Sequence, residues 1–243
     1  MLVHLNLLFF LQIFLPPFIY IMILYLTAPN KTLNLKIAAL CFFGGILSTN
    51  FVQIYYAIVN IVATNPFDLQ FFSVAPREEI CKLLVFAGCM LGVKKQSIHP
   101  VATMFYMGIV GLGFATFENF MYGVRYGEGI VIYRAITATL AHLIFGLFLG
   151  YWMALGKIDL GKYGNRSLFG FYMYKYKKLK MGVYTIIGLL SAILFHGLWN
   201  YNLTVSWVAS PPIMILMIIV GLSISKFGAT DINNHYRKSL KKL

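Results

Sequence analysis

The sequence predicts an all-α, polytopic integral membrane protein with about seven transmembrane helices. Of its 243 residues, 60% are hydrophobic and 11% are charged, whereas a soluble domain carries about 25% charged residues. Apolar runs of roughly the 20 residues that a helix needs to cross a bilayer follow one another along the chain. No stretch has the composition of a separate soluble domain, so residues 1–243 are interpreted as one membrane domain.

Seven predicted spans account for the apolar runs, with polar connections between them. The first ten residues contain no Lys or Arg and no small-residue cleavage site, so the first run is interpreted as a retained span and not a signal peptide. Only one connection, 156–180, is long, and the chain ends in a basic tail, 228–243. The predicted spans lie near residues 5–26, 35–63, 79–93 (with a start near 69 as an alternative), 101–122, 130–154, 181–204 and 211–227.

The distribution of the 20 Lys and Arg residues predicts the orientation of these spans. Sixteen of them fall in the first, third and fifth connections and in the tail, against only Arg77 and Arg125 in the connections on the other side. Cytoplasmic loops carry the excess of Lys and Arg, so the N-terminus is predicted outside and the C-terminus in the cytoplasm. The excess of Lys and Arg is thus explained by the orientation of the chain in the lipid bilayer, and no nucleic-acid partner is expected.

Two of the seven acidic residues, Glu78 and Glu79, stand side by side at the start of the third predicted span. A charged group inside a bilayer costs at least about 2.5–3.5 kcal/mol at its centre, so such residues indicate function by default. Lys82 is the nearest candidate to stabilise the pair, because it lies four residues from Glu78 on the same helix face. The structural alternative is an interfacial cap, with carboxylates at the positive start of a helix.

Polar residues in the next three spans are predicted to lie at the same depth as the Glu pair. Glu118 lies one turn from the outer end of the fourth span, and His142 lies two turns below Arg134 in the fifth. In the sixth span Asn200 lies one turn above His196. Each of these residues alone has a structural explanation, such as helix–helix hydrogen bonding or snorkelling. Burying several of them in one layer has a high free-energy cost, which packing alone does not explain. Such a set can activate water, with a carboxylate as base and imidazole or amide groups stabilising the oxyanion.

Four blocks in this order resemble the PrsW family of intramembrane proteases. They are Glu-Glu-x-x-Lys at 78–82, Phe-Glu-x-x-x-Tyr at 117–122, the mid-span His142, and His-x-x-x-Asn at 196–200. More distantly, the Glu-Glu and His motifs resemble the CPBP group, which includes the CaaX prenyl endopeptidases. The matching blocks run from about 77 to 200, roughly half of the chain.

The resemblance implies an endopeptidase of the bacterial cell membrane that makes a site-1 cut in a single-span membrane protein near the extracytoplasmic face. The family example is cleavage of an anti-sigma factor in stress signalling. By motif, the implied catalytic residues are Glu78, Glu79, Glu118, His142 and His196. The implied supporting residues are Lys82 and Arg134 as charge partners, Asn200 at the oxyanion, and Tyr122 of the second block.

Metal dependence is left open by these residues. Two His and one Glu are a known set for catalytic zinc, and Glu118, His142 and His196 would supply it, with Glu78 or Glu79 as the base. The sequence has no His-Glu-x-x-His pattern, and its three cysteines lie in apolar segments without a CxxC pair. A metal-free mechanism needs the same residues and is favoured, so no cofactor is assigned.

Two other classes of function stay open. A transporter or channel would use the Glu and His layer to relay protons or bind a cation. Such proteins are typically built from internal repeats, and none stands out here. An inactive scaffold or immunity protein with a protease-like fold is the third hypothesis, and the intact set of Glu and His argues against it.

Overall fold

Helices account for all the regular secondary structure of the computed structural model over the residues it describes, which are 7–29, 32–59, 62–93, 98–158, 177–205 and 210–240. Two π-helical segments, Leu69–Val74 and Ile224–Gly228, continue directly into the α-helices that follow them. The predicted all-α class is therefore confirmed. The α-helices are α1 (Leu7–Thr27), α2 (Leu35–Ile58), α3 (Pro66–Asp68), α4 (Ala75–Leu91), α5 (Pro100–Tyr126), α6 (Glu128–Ile136), α7 (Ala138–Lys157), α8 (Lys177–Val205), α9 (Ser210–Ser223) and α10 (Ala229–Leu240).

Five of the seven predicted spans correspond to helices that are long and apolar enough to cross a membrane. They are α1, α2, α5, the stretch Glu128–Lys157 that joins α6 and α7, and Lys180–Val205 within α8. These helices make the chain a polytopic membrane protein. The other two predicted spans coincide with α4 and α9, which have 17 and 14 residues. That these two helices cross the bilayer stays a prediction.

Helical structure in the third predicted span begins at Pro66 and not at residue 79. The Asn65 side chain caps this end by accepting a hydrogen bond from the Asp68 amide, and a proline fits the first helical turn because its missing N–H has no intrahelical partner there. The π-helical segment Leu69–Val74 then leads into α4 without a break. The Glu pair therefore lies inside a continuous helical stretch.

The predicted fifth span is divided at Thr137, where α6 ends and α7 begins. The Thr137 hydroxyl donates to the Tyr133 carbonyl at 2.8 Å, and the Thr139 hydroxyl donates to the Arg134 carbonyl at 3.3 Å. Inside a membrane, hydroxyl groups of this kind satisfy backbone carbonyls where a helix is irregular. The turn from α5 into α6 uses Gly127 at φ 93°, a conformation that side chains disfavour.

Glycines allow α5 to approach its two neighbours, α2 and α7, at backbone distance. A Cβ atom at Gly113 would overlap the Phe42 carbonyl oxygen of α2, and one at Gly111 would overlap the His142 carbonyl oxygen of α7. Small residues at helix crossings permit such close approach in membranes. These two crossings fix the positions of α2 and α7 against the buried central helix.

We expect Gly113→Ala to lower the free energy of unfolding by about 1–3 kcal/mol, because overpacking at a tight crossing forces the backbones apart. The matched control is Gly88→Ala on α4, where no atom lies within 4 Å of an added Cβ. The measurement is denaturant unfolding in mixed micelles. A Gly113→Ala protein as stable as the control would contradict the close crossing.

Candidate active site

Lys82 lies at the centre of a buried polar cluster between α4, α5, α7 and α8. Its ammonium donates hydrogen bonds to Glu79 Oε1 at 2.7 Å and to His142 Nδ1 at 2.9 Å, and Glu78 Oε2 lies 3.7 Å away. The same nitrogen lies 4.0 Å from the centroid of the Phe114 ring, a cation–π contact. An uncompensated charge in the bilayer has a high free-energy cost. These contacts compensate the charge of Lys82 and so allow the residue to be fully buried.

The two neighbouring carboxylates have different surroundings. Glu79 is fully buried and accepts hydrogen bonds from Lys82 and from His196. Glu78 lines a cavity, and its buried Oε2 accepts no hydrogen bond from the residues that the structure describes. Adjacent positions on a helix point in directions about 100° apart, so one carboxylate of the pair lies behind the cavity wall and the other forms part of it.

His196 on α8 connects the two carboxylates. Its Nδ1 lies 2.8 Å from Glu79 Oε1. Since a carboxylate only accepts hydrogen bonds, Nδ1 is the donor, and in the neutral tautomer with this proton Nε2 carries the lone pair. That Nε2 lies 3.7 Å from Glu78 Oε2. The His196 ring stacks on Phe145 with centroids 4.8 Å apart, which fixes its orientation.

His142 on α7 lies between a cation and an anion. An ammonium group has no acceptor, so Nδ1 of His142 accepts from Lys82, and Nε2–H donates to Glu118 Oε2 at 3.0 Å. The His142 and His196 rings meet edge to face with centroids 5.2 Å apart. The contacts therefore form one continuous network from the Glu pair on α4 to Glu118 on α5.

Glu118 is paired with the guanidinium group of Arg134, whose Nη2 lies 2.7 Å from its Oε2. Arg134 also donates from Nε to Asn119 Oδ1 at 3.0 Å and lies 3.7 Å from the centroid of the Tyr122 ring. Asn119 in turn donates to the Thr139 hydroxyl at 2.9 Å. These contacts tie the ion pair to the junction between α6 and α7.

A polar cavity of about 320 Å³ lies beside Glu78, at the lower end of the range for ligand sites. The structure brings all nine residues named from the sequence to this place. Glu79 and Lys82 lie directly behind its wall. The other seven line it, namely Glu78, Glu118, Tyr122, Arg134, His142, His196 and Asn200.

The sequence interpretation missed several residues of the wall, among them the polar residues Tyr56, Gln70 and Thr204. Gln70 lies in the π-helical segment, upstream of the predicted start at residue 79 and just inside the alternative start near 69. With a start at Pro66, the four-residue spacing of Gln70, Val74 and Glu78 would have indicated one helix face. No comparable signal marks Tyr56.

A polytopic helical bundle with Glu, His and Lys side chains buried beside a polar cavity is an arrangement expected of a membrane-embedded enzyme. The family model described as PrsW family intramembrane metalloprotease matches residues 34–224, and the chain belongs to this family. The chain is therefore a membrane protease, a hydrolase that acts on peptide bonds, as the motif resemblance implied.

Curated relatives named Protease PrsW agree with the family match. The protein from Oceanobacillus iheyensis is 26% identical over 183 residues, which cover 74% of this chain and 76% of that protein. The protein from Shouchella clausii is 30% identical over 95 residues, 39% of this chain and 36% of that protein. The protein from Clostridioides difficile is 24% identical over 165 residues, 66% of this chain and 62% of that protein. No solved structure matches the chain. Together with the apolar helices, these matches identify a bacterial multi-pass membrane protein.

The family description implies a metal, and one group of side chains fits a divalent ion. Ligand atoms of Glu78, His142 and His196 lie within 4.8 Å of one another, and two His with one carboxylate is a zinc-binding set. The bond from His196 Nδ1 to Glu79 is the outer-shell contact that orients metal-binding histidines. The unbonded Glu78 Oε2 also fits a ligand.

This group differs from the set named from the sequence, because Glu78 stands in place of Glu118. The Glu118 carboxylate is instead held by Arg134 and by His142. Both ring nitrogens of His142 have protein partners, Lys82 and Glu118. Ligation by His142 would therefore require one of these two bonds to open.

We expect Lys82→Met to lower the free energy of unfolding by about 3–5 kcal/mol, because it leaves the buried Glu79 carboxylate without its cation. The double variant Lys82→Met/Glu79→Gln removes both charges and should recover part of this loss. Lys226→Met, at an exposed lysine, is the control. Equal stability of the single variant and wild type in denaturant unfolding would contradict the buried pair.

Proposed function

We propose that this membrane protease is an endopeptidase that cuts a membrane-anchored protein through water activated at Glu78. One observation carries the proposal: Glu78 Oε2 is buried beside the polar cavity without a hydrogen-bond donor among the described residues. The neighbouring Glu79 also has a buried Oε2 without a partner among the described residues, but its Oε1 is bonded to Lys82 and His196 and the residue does not line the cavity. Glu78 is thus the member of the pair that is available to take a proton.

The separation of Glu78 Oε2 and His196 Nε2 suits one bridging water molecule. Both atoms are acceptors, and they lie 3.7 Å apart. Polar groups at such a distance are commonly bridged by water. A water placed here donates one hydrogen to each acceptor and directs its oxygen lone pairs towards the cavity. Glu79 contributes by holding His196 in the tautomer that accepts at Nε2.

In the proposed reaction the water gives a proton to the Glu78 carboxylate as its oxygen attacks the carbonyl carbon of the scissile bond. Protonated Glu78 then transfers that proton to the amide nitrogen, and the C–N bond breaks. The products are a carboxylic acid and an amine, so one water is consumed for each bond cut. General acid–base catalysis of this kind contributes about 10²–10⁴-fold to the rate.

The developing oxyanion needs donors on the cavity side of the substrate. Asn200 lines the cavity one helical turn from His196, and its carboxamide supplies N–H donors. The Lys82 ammonium, 3.7 Å from Glu78, adds a fixed positive charge behind the wall. A metal held by Glu78, His142 and His196 would supply Lewis-acid polarisation of the same carbonyl, and Glu78 would then be a ligand and not the base. In either case Glu79 orients His196.

The substrate class in this proposal is a single-span membrane protein such as an anti-sigma factor. The excess of Lys and Arg in alternate connections supports an orientation with the N-terminus outside and the C-terminus in the cytoplasm. In that orientation the connection between α5 and α6 and the nearby cavity lie towards the extracytoplasmic face. The proposed cut is therefore of the site-1 type.

We expect Glu78→Gln to lower the rate of cleavage about 10²–10⁴-fold, because the amide cannot accept the proton of water. The measurement is product formation from a tagged panel of single-span proteins, including an anti-sigma factor, co-expressed with each variant. Glu79→Gln and His196→Ala should also abolish product. Glu128→Gln, the same change at an acidic residue that does not line the cavity, is the control.

Expression and membrane insertion are measured for every variant, so that loss of product is not confused with loss of protein. Cleavage that survives Glu78→Gln would refute the proposed base. A chelator is added in a parallel series, and the metal content of the purified protein is measured. Chelator-sensitive cleavage restored by zinc would assign the metal-dependent form of the mechanism, and insensitivity would assign the metal-free form.

We expect Gly129→Cys to react with a membrane-impermeant thiol reagent from outside the cell, because the connection at α6 is proposed to be extracytoplasmic. An added Cβ at Gly129 meets no atom within 4 Å, so the substitution should be tolerated. Lys238→Cys, in the exposed part of α10, should react only after the membrane is opened. Wild type provides the background from the native cysteines. The reverse pattern would invert the proposed orientation.

A further inference from the structure

A peptide bond cannot be hydrolysed inside a membrane while its segment remains helical. Cleavage requires local unwinding, and unwinding leaves N–H and C=O groups of the substrate without their intrahelical partners. In a bilayer each such group is costly unless the protein supplies a partner. An intramembrane endopeptidase therefore needs hydrogen-bonding groups for the substrate main chain beyond those that act on the scissile bond.

Two polar rows extend from the catalytic cluster along the cavity. One wall carries Gln70, Val74 and Glu78, spaced four residues apart through the π-helical segment and into α4. The facing wall is formed by α8, where Asn200 and Thr204 follow His196 at the same spacing. Each row thus begins at a residue of the catalytic cluster and includes a polar side chain eight positions away that also lines the cavity.

Gln70 has the properties of an unused binding group. Its side chain is nine-tenths buried at 9% exposure, it lines the cavity, and its Oε1 has no hydrogen-bond partner within the described ranges. Buried polar groups are almost always hydrogen-bonded, so an exception calls for a partner that is not part of the fold. A carboxamide offers both a donor and an acceptor, which matches the N–H and C=O of a peptide unit.

The segment that carries Gln70 is fixed to the opposite wall by aromatic packing. The Phe71 and Phe67 rings stack with centroids 4.4 Å apart, and Phe67 also meets Tyr201 of α8 at 5.9 Å. A Cβ at Gly197 would lie 2.7 Å from the Phe71 ring, so α8 approaches this ring closely. The distance between Gln70 and the α8 row is therefore set by the fold.

We propose that Gln70 binds the main chain of the unwound substrate segment at a fixed distance from the scissile bond. This inference rests on the proposed function, with Glu78 as the base. Gln70 and Glu78 are eight positions apart, a rise of roughly 10–12 Å along the helix. An extended chain covers that distance in about three residues. Gln70 is thus a substrate-positioning residue that holds the peptide about three residues away from the bond that is cut.

The first test compares Gln70→Leu with Gln12→Leu, using the tagged single-span protein that wild type cleaves. Gln12 on α1 also has a buried Oε1 without a hydrogen-bond partner among the described residues, but it does not line the cavity. Gln70→Leu should raise KM about tenfold, the effect of one lost hydrogen bond, with kcat changed little. Gln12→Leu should leave both constants at the wild-type value.

A second measurement determines which residue of the substrate lies beside position 70. Gln70→Cys is introduced into Glu78→Gln protein whose native cysteines are replaced, and single cysteines are placed along the substrate. Disulfide trapping should peak about three residues from the scissile bond on one side and fall off on either side of that position.

The outcomes separate the two proposals. Normal KM in Gln70→Leu, equal losses in both Leu variants, or trapping without a peak would each overturn the role of Gln70 while leaving the protease mechanism in place. Failure of wild type to cleave any member of the panel would overturn the proposed function and this inference with it. A raised KM in Gln70→Leu alone, together with a trapping peak at the expected position, would establish the role.

Discussion

The structure of the active site depends on one buried cation, the ammonium group of Lys82. It bonds to Glu79 on its own helix and to His142 on α7, and through Glu79 it reaches His196 on α8. Three helices that have little else polar in common are thereby held in one arrangement. Because no solvent is available to stabilise a displaced charge in a bilayer, this arrangement has few alternatives of similar free energy.

The same cation explains why two adjacent glutamates are useful. Glu79 is committed to Lys82 and His196, so it fixes geometry, whereas Glu78 on the next position faces the cavity with an unbonded oxygen. The Oε2 atom of Glu79 is also unbonded among the described residues, but Glu79 lies behind the cavity wall and Glu78 forms part of it. Dividing the two tasks between neighbours on one helix keeps them within a few ångströms of each other without a long loop.

The sequence predicted the helical class, and the residues that it named lie together in the structure, because both depend on local signals. Apolar length marks most of the spans, and charged or imidazole groups inside them are rare enough to be conspicuous. The division at Thr137 could not be predicted from hydropathy, since it does not interrupt an apolar run, and the start at Pro66 was approached only by the alternative start near residue 69. Gln70 was missed because it shares a helix face with Glu78 only if the helix begins near Pro66. The candidate metal site contains Glu78 instead of Glu118, and this difference depends on side-chain packing, which the spacing of residues does not encode.

The packing of α1 has a consequence for how sequence variation reaches the catalytic network. Phe9 and Ile13 of α1 pack on Val131 of α6, the helix that also carries Arg134. The family match begins at residue 34, beyond α1. A substitution in α1 can therefore shift α6, and with it Arg134, without touching any other side chain that lines the cavity. We expect the effects of such substitutions to be non-additive with those of substitutions at Glu118. A helix outside the family match is thus in packing contact with the helix that carries Arg134.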